Sequence, residues 1–417
     1  LRIERLTSNQ LLLVIIIVFV SFNLRAPLTS VGPIIHFIQK EFSLNSSLAG
    51  FLTTLPLIVF GVISLFISKV SAKFGSMHTL ISGLGFIILG EVIRSYTGLY
   101  GLFVGTGILG IGIAIGNVLI PSFIKQKFVH HIGPVTSIYA TSMCLSAAIG
   151  AGVSAPLILQ CHFDWRGTLV IWSALAVITI ATMVFYVSKD KPANHPEETK
   201  KRVELFGINE KSIWKSPLAW WVTLFMGAQS LVFYSLAAWL PSMIASKGMG
   251  AEFAGLMCLI YQLMAIPATL IIPVLAGRRN DQRALTTIKI GIYLLGLLLF
   301  YFTESKAIIL LSVVLMGIGM GGSISLAIAF ISLRTPNAKK TTELSGMSQS
   351  FGYFFAAIGP FVLGFMYDTT QSWDLPIMTL VGVLILLAFF GMKAGADNVI
   401  GLLSPVTSRK TSLQMNI

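Results

Sequence analysis

Charge is scarce in this chain. Asp, Glu, Lys and Arg make up 11% of its 417 residues, against roughly a quarter in soluble domains, so a water-facing surface of ordinary composition is excluded. Acid is scarcer still, with 16 carboxylates against 29 Lys and Arg and a net charge of +13. The three cysteines, Cys144, Cys161 and Cys258, are scattered and form no CxxC, which leaves neither a disulfide framework nor a metal cage. HExxH, GxSxG and Walker patterns are all missing, so hydrolytic and nucleotide-driven chemistry lack their usual parts. The chain is therefore read as no enzyme, with no cofactor and no metal. A receptor, which would usually add a soluble signalling domain, is not expected either.

What is abundant is apolar surface: 55% of residues are hydrophobic and the mean hydropathy is +0.84. Apolar stretches of about twenty residues, the length that crosses a bilayer, recur between short polar breaks. They predict about twelve spans, at 10–38, 47–68, 77–96, 100–125, 134–159, 165–187, 217–240, 251–276, 284–303, 307–331, 343–367 and 374–393. Barrel strands would alternate over segments of roughly ten residues, so the fold class is an all-α membrane protein. The first stretch is too long for a signal-peptide core and no A-x-A site follows it, so it is read as a retained span.

The excess of Lys and Arg suggests nucleic acid until its placement is examined. With the N-terminus taken as cytoplasmic, the basic residues fall mostly in inside loops, Lys289 and Arg334 being counted among them. Only Lys40, Arg94, Arg166, Lys247 and Lys306 are assigned to the outside. This is the positive-inside pattern of a multi-pass protein of the cytoplasmic (inner) membrane with both termini cytoplasmic. Its partners are the lipid bilayer and a small molecule, not nucleic acid. The longest polar interval, from Lys189 to Lys215, divides the chain into an N-terminal bundle (1–188), a linker (189–216), a C-terminal bundle (217–395) and a tail (396–417). Two pseudo-symmetric six-helix bundles of this kind hold a solute site between them at mid-membrane.

Arg25 stands near the middle of span 1. A guanidinium there costs about 2.5–3.5 kcal/mol on insertion scales and lies too deep to snorkel to either interface. It should face a wet cavity or an acidic partner, and no carboxylate is read at comparable depth: Glu91, Asp164, Glu304, Asp368 and Asp374 are all placed near outer ends. Anion binding is the expectation; a structural role against backbone carbonyls is the alternative. Asn23 and Pro27 in span 1, and Asn117 and Pro121 in span 4, repeat an N-x-x-x-P spacing, in which each Pro frees the Asn carbonyl and should bend the helix. Gln229, Tyr234, Gln262, Gln349 and Tyr353 are polar near mid-depth and complete the substrate-binding candidates. Gln349 and Tyr353 share one helix face. His36, near the outer end of span 1, is the proton-coupling candidate; a substrate carrying its own proton, exchange and facilitated diffusion stay open.

Several segments resemble the cyanate and 2-nitroimidazole permease branch of the major facilitator superfamily. They are NLRAPLTSVGP in span 1, GNVLIPSFIK in span 4, DWRGTLVIWSALA in span 6, the approach to and body of span 7 from Trp214, and RRNDQRALT after span 8. The resemblance covers essentially the whole chain and implies the two-bundle fold with rocking alternating access. One departure stands out: the stretch Lys69 to Gly75 lacks the acidic residue of the superfamily's loop after span 2, so gating contacts through that acid are not implied. The expected function is secondary active or facilitative transport of a small organic or inorganic anion or weak acid by a monomer. The alternative is export of amphipathic drug-like compounds, suggested by Met143, Met226, Met257 and Met264, whose side chains repack around varied ligands.

Overall fold

The computed structural model describes residues 7–44, 46–161, 163–189 and 212–401. The polar interval after Lys189 and the tail lie mostly outside the described residues. Twelve helical segments among the described residues are long and apolar enough to cross a membrane. They are spans 1 to 12 in chain order: Asn9–Ile35, Thr54–Phe74, Ser76–Tyr96, Gly98–Lys127, Ile132–Ile158, Trp165–Ser188, Pro217–Ala245, Phe253–Gly277, Arg283–Phe302, Lys306–Leu333, Ala338–Thr370 and Asp374–Ala394. Each coincides with an apolar stretch read from the sequence. Large apolar side chains such as Phe66, Val104, Ile178, Phe302 and Phe365 remain exposed along the helices, the kind of surface that acyl chains cover.

Helix ends and breaks follow local chemistry. Span 1 opens on a capping box, Thr7 Oγ1 accepting from the Gln10 amide while Gln10 Oε1 accepts from the Thr7 amide. The helix Ser8–Thr29 runs through Pro27, stops at Ser30, and restarts as Val31–Phe42. Pro33 explains the position, since it has no N–H to donate to Thr29 four residues earlier. Span 8 breaks the same way at Met264, between Ala251–Leu263 and Ala265–Gly277, where Pro267 deprives the Leu263 carbonyl. Pro121, by contrast, sits inside an unbroken helix, Gly98–Lys127.

The packing repeats with an offset of six spans. Span 1 packs on 5 and 6, 3 on 4 and 6, and 2 on 4; correspondingly 7 packs on 11 and 12, 9 on 10 and 12, and 8 on 10. Between the halves the principal contacts are 2 with 11 and 5 with 8, which the same offset interchanges. This is a two-fold pseudo-symmetric pair of six-helix bundles. Spans 3 and 4 approach backbone to backbone: a Cβ on Gly105 would lie 2.3 Å from the Arg94 nitrogen, and one on Gly90 2.4 Å from the Leu109 nitrogen.

The bundles meet mainly in the half of the membrane where span 1 begins, here called the N-face. Ser122 Oγ donates to the Ala338 carbonyl (2.7 Å), Ser332 Oγ to Pro121 (3.2 Å) and Ser350 Oγ to Gly61 (2.5 Å). Ser137 Oγ donates to Thr269 (3.2 Å) and Leu270 carbonyls, and Thr141 and Thr269 hydroxyls pair at 3.1 Å. These contacts close the N-face.

Candidate functional site

Above that closure the bundles part around two adjoining cavities. The deeper has room for about one water molecule, some 20 Å³, and is lined by Arg25, Asn117, Gln229, Tyr234, Gln349 and Tyr353, with Tyr139 and Ser230 among the other polar groups. The larger, about 530 Å³, falls within the roughly 300–1,000 Å³ of small-molecule sites. It extends toward the face opposite the N-face, along the ends of spans 1, 3, 7 and 11 and the beginnings of spans 2 and 4. Its wall is mostly apolar, with Leu57, Phe233, Ile324, Ala356 and Phe361 among its members. Arg25 and Tyr234 line both cavities.

Arg25 is half-buried, and what exposes it is this cavity. Its Nη1 donates to the Tyr234 hydroxyl at 3.3 Å, from span 1 across to span 7. No ion pair joins it to a carboxylate among the described residues; its electrostatic neighbours are the phenols of Tyr234, Tyr353 and Tyr139. A second bond joins the bundles alongside, Asn117 Nδ2 donating to the Tyr353 hydroxyl at 2.9 Å, with Phe60 edge-on to the Tyr353 ring at 4.8 Å. Gln229 donates from Nε2 to Ser230 Oγ (2.8 Å) and to Met226 sulfur (3.1 Å), while its Oε1 is buried without a partner among the described residues. An acceptor left open in this way beside a guanidinium suits a ligand that brings its own donor.

Six of the eight substrate-binding candidates thus line one cavity. Gln262 lines the larger one. Asn23 does not join them: its amide donates to the Phe19 carbonyl (2.8 Å) and to Thr179 Oγ1 (2.9 Å), tying span 1 to span 6 away from both cavities. His36 lies on the helix Val31–Phe42, but its side chain is outside the described residues.

Three residues assigned to loops or helix ends need correction. Glu91 and Arg94 are buried within the N-terminal half, 0% and 1% exposed, and form an ion pair at 3.4 Å. Arg94 Nη1 donates to the Pro27 carbonyl at 3.0 Å and the residue lines the larger cavity. Lys289 is likewise no loop charge: its ammonium, buried in the C-terminal half, donates to Ser323 Oγ at 2.7 Å and lies 4.8 Å from the Phe225 ring centre. Sequence reasoning also missed Tyr139, which is 1% exposed. Trp165 and Trp373 are buried between helices, Trp165 Nε1 donating to Glu41 Oε2 at 2.6 Å and Trp373 stacking on Tyr367.

Twelve spans in two pseudo-symmetric bundles, closed on one face and parted over a central polar cavity on the other, make up a two-bundle membrane transporter fold. The chain belongs to the Major Facilitator Superfamily, whose family model matches residues 11–360. It is 41% identical to an uncharacterized transporter, YycB, of Bacillus subtilis over 92% of this chain and 93% of that protein. It is 34% identical to the 2-nitroimidazole transporter of Escherichia coli over 94% and 98%, in keeping with the branch the sequence resembles. Among solved structures, the transporter FucP in its outward conformation superposes with a TM-score of 0.73, at 14% identity, over 91% of this chain and 98% of that one.

Proposed function

We propose that this transporter carries a small organic anion or weak acid through the central cavity, with Arg25 as the residue that holds the negative charge. One observation carries the reading. Arg25 is a guanidinium facing a cavity of substrate size at the bundle interface, held by a neutral phenol and not by a carboxylate. An unneutralised cation in a low-dielectric site attracts an anion far more strongly than one in water. Asn117, Gln229, Gln349, Tyr353 and Tyr234 supply hydrogen-bonding partners around it, and the apolar wall of the larger cavity suits a planar apolar body behind the charge.

In this reading the two halves rock against each other, opening the N-face contacts and closing the cavity on the opposite side. The basic loops support a cytoplasmic N-face, hence both termini in the cytoplasm of a bacterial inner membrane. The cavity is complete within one chain, which supports a monomer as the working unit. Met143 and Met226 at the cavity wall favour the efflux alternative.

Protein reconstituted in proteoliposomes should take up radiolabelled benzoate, and Arg25→Ala should abolish uptake while thermal stability in detergent is retained. Full uptake by Arg25→Ala would remove the basis of the reading.

A further inference from the structure

The buried pair on span 3 has no place in the site described so far. Glu91 is enclosed completely; one oxygen faces Arg94 at 3.4 Å, the Ser173 backbone on span 6 lies beside the carboxylate, and Oε2 makes no well-formed hydrogen bond among the described residues. Arg94 is nearly as enclosed, yet lines the same cavity as Arg25. Its Nη1 holds the carbonyl of Pro27, two residues along the chain from Arg25, and its Nε is unpartnered among the described residues. A structural ion pair in so costly a setting is stable only when its remaining donors and acceptors are satisfied. Here two are open, one on each member.

The surroundings isolate the pair. Span 4, packed closest, carries no titratable side chain between Tyr100 and Lys125; span 6 carries none between Arg166 and Tyr186, and span 2 none before Lys69. Span 1 brings Arg25 and the helix Val31–Phe42 His36, span 3 itself His78 and Tyr96 at its ends, and the cavity wall Tyr139, Tyr234, Tyr353 and Cys144. Glu91 is the only carboxylate of these groups.

We infer that Arg94 is a second anion-holding residue of the cavity, occupied by Glu91 at rest, so that proton uptake by Glu91 and anion binding reinforce each other. With Glu91 ionised, Glu91, Arg94 and Arg25 together carry one net positive charge; with Glu91 protonated they carry two. A monoanion entering the cavity meets the stronger field in the protonated state. By linkage, its binding raises the proton affinity of Glu91 equally. The proton resides on a Glu91 oxygen, Arg94 turns from the lost partner toward the cavity, and substrate and proton cross as a neutral pair. The inference rests on the anion reading above and assigns to it a coupling residue.

The test is benzoate binding to the purified full chain in detergent, by isothermal titration calorimetry from about pH 8 to about pH 6, where benzoate itself stays ionised. Wild-type affinity should tighten several-fold toward the lower pH, with uptake of up to about one proton per benzoate, read by repeating the titration in buffers of different ionisation enthalpy. Glu91→Gln should bind with the tight affinity at every pH and take up no proton, while His36→Gln keeps the wild-type slope. In proteoliposomes, Glu91→Gln should retain benzoate exchange and lose accumulation driven by a proton gradient. The wild-type titration needs no variant to fold: benzoate bound with unchanged affinity and no proton uptake overturns the inference and leaves the Arg25 reading standing. A pH slope that survives in Glu91→Gln and vanishes in His36→Gln also overturns it. Failure of benzoate to bind at any pH overturns the anion reading and this inference with it.

Discussion

Arg25 Nη1 and the Tyr234 hydroxyl meet at 3.3 Å across the bundle interface, so the charge on span 1 is in register with a neutral donor and acceptor on span 7. The phenol orients the guanidinium without neutralising it. Arg25→Lys should therefore fold and keep the charge, yet lose the planar fork that matches a carboxylate. Benzoate uptake by this variant should show KM raised by about ten-fold or more, the equivalent of about one charge-assisted hydrogen bond. An unchanged KM would mean that Arg25 acts as a point charge and not as a bidentate clamp.

Asn117 and Tyr353 form the neighbouring crossing, 2.9 Å from amide nitrogen to hydroxyl. Tyr353→Phe deletes the oxygen and keeps the ring against Phe60, leaving a buried amide donor open at a cost of about 1–3 kcal/mol. The expected result is a fall in thermal stability of a few degrees and weaker benzoate binding. Asn117→Ala combined with Tyr353→Phe should cost less than the two changes summed, because each removes the same bond.

Much of this was legible in the chain because membrane spans are written in hydropathy, and lipid forces every backbone group into a helix. Arg25 was legible because depth along a span makes a charge conspicuous. Arg94 was not: two residues from the end of span 3, it reads as an interfacial charge, and Gly90 and Gly105 let span 4 close over it and Glu91. Lys289 was missed for a like reason, six residues into span 9 with Gly322 beneath its stem. Asn23 erred the other way. It has the depth of a site residue but not the azimuth, and hydropathy reports depth alone. The break at Ser30 was not read from the sequence, although Pro33, which acts on the carbonyl four residues back, marks it.

The spans 3 and 4 contact makes a prediction about stability. Gly90→Val would drive a side chain into the backbone of Leu109, where the Cβ alone lies 2.4 Å from the nitrogen. Backbone cannot yield as a flexible side chain does, and overpacking of this kind costs about 1–3 kcal/mol or more. The variant should melt well below wild type in detergent, whereas Gly85→Ala on the same span, with open space at its Cβ, should melt within about a degree of it.

Outside the membrane-spanning segments, Glu41 joins the helix Val31–Phe42 to span 6. Its Oε2 accepts from Trp165 Nε1 at 2.6 Å and from Arg166 Nη1 at 3.0 Å, and its Oε1 pairs with Arg166 Nη2. Hydrogen bonds from Arg166 first, then Trp165, hold the Glu41 carboxyl below its ordinary value. A depressed carboxyl stabilises the folded state above its unfolded pKa and loses that contribution as pH falls through the folded one. Thermal stability should thus drop as pH falls below about 4.5, by a modest amount because the pair is largely exposed to water. Glu41→Gln should show a smaller drop over the same window. Equal acid sensitivity in the two proteins would assign the effect to other carboxylates.

The N-face closure gives the last prediction. A Cβ on Gly133, at the start of span 5, would lie 2.6 Å from the Pro273 carbonyl oxygen near the end of span 8, and it meets the Val274 backbone as well. Glycine is required there because the two bundles touch through their backbones, and the contact exists only while the N-face is shut. Gly133→Leu should penalise that state and spare the one in which the bundles have parted, shifting the population between them. Cys144, on the wall of the larger cavity, reports the shift. In a Cys161→Ser, Cys258→Ser background, an impermeant thiol reagent added from the face opposite the N-face should label Cys144 in the parent and label it several-fold more slowly in Gly133→Leu. Labelling at the parent rate, with the variant folded, would mean that the Gly133 contact does not distinguish the two states and that the N-face opens by a route other than the separation of spans 5 and 8.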